Sequence, residues 1–492
     1  MQKVLVANRG EIALRVMRTL KEMNIQSVAI YSEADVNMPF VKFADEAYCI
    51  GPAPSSQSYL LADKIIETAL QCGAQGIHPG YGFLSENANF SEACQHAGLI
   101  FIGPTPHSIR TMGSKIAAKQ AAKQFEVPMV PGTDQPLKDL NEAIEVAKQT
   151  GFPLLIKASA GGGGKGMRIV HQESELQEQL QMAKSEALNS FNDDSVFIEK
   201  YVGSPKHIEI QVLCDTHGNC LYLFERECSI QRRHQKLIEE APSSCLTPEV
   251  RKAMGESAVN VARSCDYHGA GTVEFLVDDD LNFYFLEMNT RLQVEHCVTE
   301  MITNIDLVKE QIQIARGEKL SFSQEDLKIN GHAIELRICA EDPLNNFMPD
   351  TGCLKTYVRP TGDGIRVDDG YEQGQEIPIY YDPMIGKLIA WGENRTQAIE
   401  RLSEAISNFR INGIETTLPF GKWAIHQPAF VEGNFDTHFI QKYYKPIYLE
   451  EILDAEANEL ASLATLIYKD QTSLPLPINA KQDNWKRRMS LK

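Results

Sequence analysis

The chain has 492 residues, 43% of them hydrophobic, which at roughly 100–200 residues per domain gives about three domains with apolar material for several cores. Acidic residues outnumber basic ones by 66 to 48, a net charge of −18. That balance argues against a protein that tracks a phosphate backbone, so no nucleic-acid partner is expected.

Up to about residue 110, short β-rich runs (Val4 to Ala7, Ser27 to Tyr31, Leu99 to Ile102) alternate with helical patterns (Glu11 to Met23, Tyr59 to Gln71). This rhythm predicts a doubly wound parallel sheet. Its first turn, Asn8-Arg9-Gly10-Glu11, has one glycine where a dinucleotide fingerprint needs three. From Ser114, an N-cap candidate, an Ala- and Lys-rich helix leads to the breakers Val127-Pro128 and Val130-Pro131-Gly132, a subdomain boundary. A helix (Leu137 to Gln149), two strands (Pro153 to Ser159, Met167 to Val170), a long helix (Glu173 to Phe191) and a strand (Val196 to Tyr201) then predict an αββαβ unit. Strand patterns at Ile208 to Leu213, Leu221 to Glu225, Gly271 to Val277 and Phe283 to Met288 predict an α+β middle with antiparallel pairing. The region from Gly331 to Tyr444 is strand-rich and then helical, Leu449 to Tyr468 is amphipathic, and the end carries Trp485-Lys486-Arg487-Arg488.

No apolar run approaches the ~18 residues of a membrane span, and Val4 to Ala7 begins too early to leave room for a signal peptide. A cytoplasmic protein without a membrane partner is expected. Eleven cysteines, scattered from Cys49 to Cys353 without a Cys-x-x-Cys pair, read as reduced buried thiols, and no structural metal is expected.

Three stretches carry chemistry. Gly161-Gly162-Gly163-Gly164-Lys165-Gly166 lies between two strand patterns, so it is neither a strand-to-helix dinucleotide turn nor a P-loop, which Ser159 and Gly166 also break. Its exposed N–H groups suit a flap over a triphosphate; a flexible hairpin is the alternative. Next, a four-residue loop at 279–282 sets Glu274 opposite Glu287, with Asn289 on the same face as Glu287. Facing carboxylates with an amide suit a hard cation such as Mg²⁺ on nucleotide phosphates, the alternative being a solvated acidic face. Last, Arg291, Gln293 and Glu295 alternate just past Asn289 and, if extended, offer a guanidinium, an amide and a carboxylate to a small anion. This tract and Glu225 to Lys236 have a solvated loop as their alternative.

Together with Ala7-Asn8-Arg9-Gly10-Glu11-Ile12-Ala13, His78-Pro79-Gly80-Tyr81-Gly82-Phe83-Leu84-Ser85-Glu86-Asn87 and the tract Gln231 to Lys236, these motifs resemble the ATP-grasp enzymes, specifically the biotin carboxylase subunit of acyl-CoA carboxylases. The resemblance runs from about Val4 to Tyr444 and weakens after Leu418. It implies an α/β and α+β chain: an N-terminal doubly wound parallel-sheet domain over 1–112, an ATP-grasp domain over 113–330 with a mobile glycine-flap lid near 131–202, and a C-terminal mixed β/α domain over 331–446; the tail over 447–492 departs from the family's short bacterial subunit and reads as a partner-docking segment, with a frayed terminus as the alternative. By motif, Lys115, Lys157, Gly161, Gly162, Gly163, Gly164, Gly166, Glu199, Lys200, Val202, His207, Gln231 and His234 resemble ATP contacts. Glu274, Glu287 and Asn289 resemble ligands of Mg²⁺ or Mn²⁺, the two glutamates also serving ATP. Lys236, Arg291, Gln293, Val294 and Glu295 resemble a bicarbonate pocket, and Tyr81 and Arg337 the surroundings of biotin.

The resemblance implies that Glu295 is the base on bicarbonate, that Arg291 and Lys236 hold the anion, and that Arg337 stabilises the biotin enolate oxygen, unless Arg337 merely pairs with a neighbouring carboxylate. Biotin in this family is carried on a methionine-flanked lysine, and no Met-Lys-Met occurs here. A separate biotin carboxyl carrier protein, a homodimer and a carboxyltransferase subunit are therefore expected. Rival readings are another ATP-grasp ligase joining a carboxylate to an amine, and a non-catalytic nucleotide-sensing scaffold.

Overall fold

Val4, Leu5 and Val6 have no solvent exposure, as a strand covered on both faces requires, and they form the centre of a five-stranded parallel sheet. In the computed structural model, which describes residues 1–133, 135–158, 167–191, 193–451 and 460–466, the order across this sheet is Glu46–Gly51, Gln26–Ser32, Lys3–Val6, Gly76–His78 and Ile100–Phe101. Gly10 turns the chain from strand into helix at φ +65°, a conformation that glycine adopts without penalty. The helix Gly10–Glu22 then buries Ile12, Ala13, Val16, Met17 and Leu20 along one stripe.

The αββαβ unit is present. Its sheet runs Met167–Val170, Leu154–Ala158, Val196–Lys200, all antiparallel, under the helices Leu140–Thr150 and Glu173–Phe191. Leu154, Ile156, Val196 and Ile198 pack there with Ala143, Ala147, Leu180 and Ala183. The first of these helices starts three residues later than the sequence suggests, because Asp139 caps it, accepting from the Glu142 N–H at 2.9 Å.

An antiparallel sheet of eight strands dominates the rest. Its order is Phe283–Asn289, Gly269–Val277, Lys206–Cys214, Cys220–Arg232, Gln235–Ala241, His332–Cys339, Met384–Gly392 and Ile365–Asp369. Alternation along Lys206–Cys214 sends Ile208, Ile210 and Val212 into an apolar core with Met254, Ala258 and Val261 of the helix Pro248–Arg263, and His207, Glu209 and Gln211 to the opposite face. That polar face is nonetheless buried, and it carries the site. Strands on both sides of residue 330 belong to this one sheet, since Glu239 pairs with Glu335.

One expectation is corrected. Cys214 and Cys220 are direct partners across a hairpin, 4.0 Å apart at Cα, and are joined as a disulfide, while the other nine cysteines are free thiols. The antiparallel register, invisible in the linear spacing, brings this pair together.

The chain divides into two compact units, one within 1–343 and 347–443, the other within 344–346 and 444–492. In the second, residues 460–466 are helical with Leu460, Leu463 and Leu466 exposed. The remainder of the amphipathic segment after residue 451 and the basic end at 485–488 lie outside the described residues. No helix among the described residues is long and apolar enough to cross a membrane.

Candidate active site

Four charged residues line up across four adjacent strands: Arg226 pairs with Glu209, Glu209 with Glu274, and Glu274 with Glu287. The last pairing is the one the sequence suggests, reached differently. The loop takes five residues, 278–282, and a bulge at Leu286 restores the register between Phe275–Phe285 and Glu274–Glu287.

Three carboxylates in a row repel one another unless cations lie among them. Lys236 supplies the central one. Its ammonium donates to Glu209, to Glu274 Oε1 at 3.0 Å and to Glu295 Oε1 at 2.6 Å. Burial opposes its charge, but Glu209, Glu274 and Glu295 overcome that and hold it well above the ordinary lysine range. Glu274 is also fixed by His207 Nε2 at 2.9 Å, Asn289 Nδ2 at 3.0 Å and Gln293 Nε2 at 3.1 Å. Against the effect of burial, Lys236 and His207 keep it ionised.

Glu295, just before the helix His296–Thr303, is fully buried between two cations. Its second oxygen accepts from Arg337 Nη2 at 2.9 Å, while Arg337 Nε donates to Glu239 at 2.6 Å. Burial alone would raise Glu295; Lys236, Arg337 and Arg226 outweigh it and hold the carboxyl well below its usual range. Burial instead pushes Glu239 up to about 7, with Arg337 opposing. Arg291 fans out to Glu86 at 2.8 Å, Gln293 Oε1 at 2.7 Å and Asn289 Oδ1 at 3.0 Å, and the Val294 carbonyl accepts from the buried Lys387 at 2.8 Å.

The Glu287 side chain is solvent-accessible, and its carboxylate has no hydrogen-bond partner among the described residues. Partial desolvation by its neighbours, then the facing Glu274 carboxylate, raise its pKa, with Lys115 opposing. An open carboxylate beside a fixed one and an amide oxygen is an all-oxygen donor set, which fits Mg²⁺.

A second cluster lies on the αββαβ unit and the helix Lys115–Gln124. Lys157 donates to Glu199 at 2.5 Å, and Lys119, one turn beyond Lys115, donates to its other oxygen. The Lys200 side chain leaves this group, since alternation turns it toward the carbonyls of Gly151 and Phe152 at 3.3 and 3.1 Å. Val202 sits in the loop that follows. Gln231 is the ladder partner of Lys236, and His234 occupies the hairpin turn at φ +68°. The Tyr81 hydroxyl is buried and has no hydrogen-bond partner among the described residues. The glycine run 161–166 lies outside the described residues.

Structure adds Glu209, Glu239 and Lys119, which no motif contains, and gives a place in the site to Glu86 and Arg226, which lie within quoted stretches but receive no role from them. The alternation of His207, Glu209 and Gln211 against three apolar residues was the available signal for Glu209.

Three family models cover most of the chain: biotin carboxylase N-terminal domain at residues 1–109, carbamoyl-phosphate synthase L chain ATP binding domain at 114–323, and biotin carboxylase C-terminal domain at 335–442. A pyruvate carboxylase subunit of Methanothermobacter thermautotrophicus is 53% identical over 448 residues, covering 91% of each chain. The human mitochondrial propionyl-CoA carboxylase alpha chain is 50% identical over 469 residues, 95% of this chain, which spans 64% of that relative's length. Among solved structures, the biotin carboxylase domain dimer of Hydrogenobacter thermophilus 2-oxoglutarate carboxylase, in complex with MgADP, ADP and bicarbonate, superimposes with a TM-score of 0.83 at 48% identity, covering 90% of this chain and 99% of that one. Family models over residues 1–109, 114–323 and 335–442, and a relative 53% identical over 91% of the chain, place this chain, with its carboxylate held between an ammonium and a guanidinium, in the biotin carboxylase family of ATP-dependent ligases.

Proposed function

We propose that this chain catalyses ATP-dependent carboxylation of biotin by bicarbonate, with the biotin presented on a carrier that lies outside these 492 residues. The observation that carries the reading is Glu295, an ionised carboxylate bonded to both Lys236 and Arg337. A bicarbonate entering beside Arg291 and Gln293 competes for these cations, and as they turn to the anion the basicity of Glu295 rises. Glu295 then takes the bicarbonate proton, and the freed oxygen attacks the γ-phosphorus of ATP while the bond to ADP breaks, giving carboxyphosphate. Breakdown yields CO₂ and phosphate. The phosphate takes the ureido proton of biotin, CO₂ joins that nitrogen, and Arg337 stabilises the enolate oxygen formed in between.

Lys115, Lys157, the glycine flap and the segment from Glu199 to Val202 are proposed to hold ATP with His207, Gln231 and His234, and Tyr81 to border the biotin. Glu274, Glu287 and Asn289 would hold Mg²⁺, which when bound neutralises phosphate charge during transfer.

The final acceptor is proposed to be chosen by a carboxyltransferase component, since this chain is nearly as similar to a propionyl-CoA carboxylase chain as to a pyruvate carboxylase one. A homodimer, as in the Hydrogenobacter domain, is proposed as the working assembly. The test is ADP release measured with and without bicarbonate and free biotin. Bicarbonate-dependent release that biotin stimulates is expected. Release driven by an amine and indifferent to biotin would make the chain a carboxylate-amine ligase instead.

A further inference from the structure

The row Arg226, Glu209, Glu274, Glu287 ends in a guanidinium with no solvent exposure. Arg226 Nε donates to Glu209 Oε1, Nη1 to Gln211 at 2.7 Å and Thr299 at 2.9 Å, and Nη2 to Thr272 at 3.0 Å. Glu209 therefore has one oxygen for each of two cations, Arg226 on Oε1 and Lys236 on Oε2. Thr299 stands one turn beyond Glu295, so the guanidinium also ties Glu209 to the helix that follows the proposed base.

Without Arg226, Glu209 would be a buried carboxylate with Lys236 as the one cation hydrogen-bonded to it among the described residues, and the ammonium would be drawn onto it and away from Glu274 and Glu295. We propose that Arg226 is a positioning residue for bicarbonate activation: it neutralises Glu209, so that Lys236 stays shared with Glu295 and free to turn toward the incoming anion. Arg226 itself touches no substrate. It acts through Glu209, and the inference rests on the biotin carboxylase reading given above.

The test is a double-mutant cycle on the whole chain, with Arg226→Lys, Glu209→Gln and the pair, reading KM for bicarbonate, KM for ATP and kcat of bicarbonate-dependent ADP release. A lysine keeps the charge but cannot reach Glu209, Gln211, Thr272 and Thr299 together. Losing a charged hydrogen bond in this row should raise KM for bicarbonate about tenfold in Arg226→Lys, with KM for ATP changed by less than about twofold. Because the two residues act as a unit, the pair should be no worse than the larger single defect. Losses that multiply in the pair, or equal rises in both KM values, would make Arg226 a structural strut and overturn the proposal. Arg226→Met is a second variant with the charge removed. If it folds, it should show a larger bicarbonate defect that Glu209→Gln partly reverses; if it does not, the lysine cycle decides. A wild-type chain with no bicarbonate-dependent release would overturn the functional reading itself, an outcome distinct from an additive cycle in an active enzyme.

Discussion

Glu274 and Glu287 are direct cross-strand partners with opposite surroundings. Glu274 accepts hydrogen bonds from His207, Lys236, Asn289 and Gln293, whereas Glu287 faces solvent and accepts none among the described residues. A charge already compensated on four sides has little left to give a metal, so the open partner should set the metal requirement.

Glu287→Gln is accordingly expected to raise the Mg²⁺ concentration needed for half-maximal ADP release, with little change in melting temperature, since one ligand charge is lost at an accessible position. A magnesium titration superimposable on that of the wild type would leave Glu287 as a solvated surface acid.

Glu295→Gln should keep the fold and the affinity for ATP while slowing bicarbonate-dependent turnover by ~10²–10⁴-fold, the usual cost of a missing base. The measurement is kcat with bicarbonate saturating, beside ATP-analogue binding. Near-normal turnover would remove Glu295 from the mechanism.

A pH dependence follows from Glu227, which burial pushes from 4.5 up to about 7 although Ser229 and Ser243 donate to it. The folded state binds this proton more tightly than the unfolded state, so stability is lost as pH rises between these two values, by on the order of 3 kcal/mol in total. Glu227→Gln cannot ionise. Its melting temperature relative to the wild type should therefore rise on going from about pH 5 to about pH 8. A constant difference across that interval would mean that Glu227 is not protonated in the fold.

Truncation after Tyr444 removes residues that belong to a unit apart from the one bearing the site. Carboxylation of free biotin should stay nearly intact, while carboxylation of a natural carrier, or co-purification with a carboxyltransferase component, should fall. Loss of free-biotin activity in a truncated chain that remains folded would place the tail within the catalytic unit.

Much of the architecture was legible because it rests on local periodicity. The parallel sheet follows from short β-rich runs such as Val4-Leu5-Val6 alternating with helical patterns, and the αββαβ unit from elements long enough to declare their period. The facing of Glu274 and Glu287 was legible too, because a hairpin converts a short sequence separation into a contact, even though a longer loop and a bulge at Leu286 compensate each other to reach it. Tertiary structure alone decided what lies across the sheet. Arg226 and Glu209 lie 17 residues apart on neighbouring strands, and hydrogen-bond register puts them side by side; Lys236 and Glu295 lie 59 residues apart, and although the family resemblance implies one pocket for both, their direct bond follows from the turn after Phe283–Asn289 that brings Glu295 to the ammonium. The same register joins Cys214 to Cys220. Burial was likewise beyond the linear sequence: a solvated loop stays open as the alternative for the tracts that hold Arg226 and Glu295 until the face that carries them is covered, and once water is excluded these residues and Glu209 must each find an opposite charge within hydrogen-bond reach.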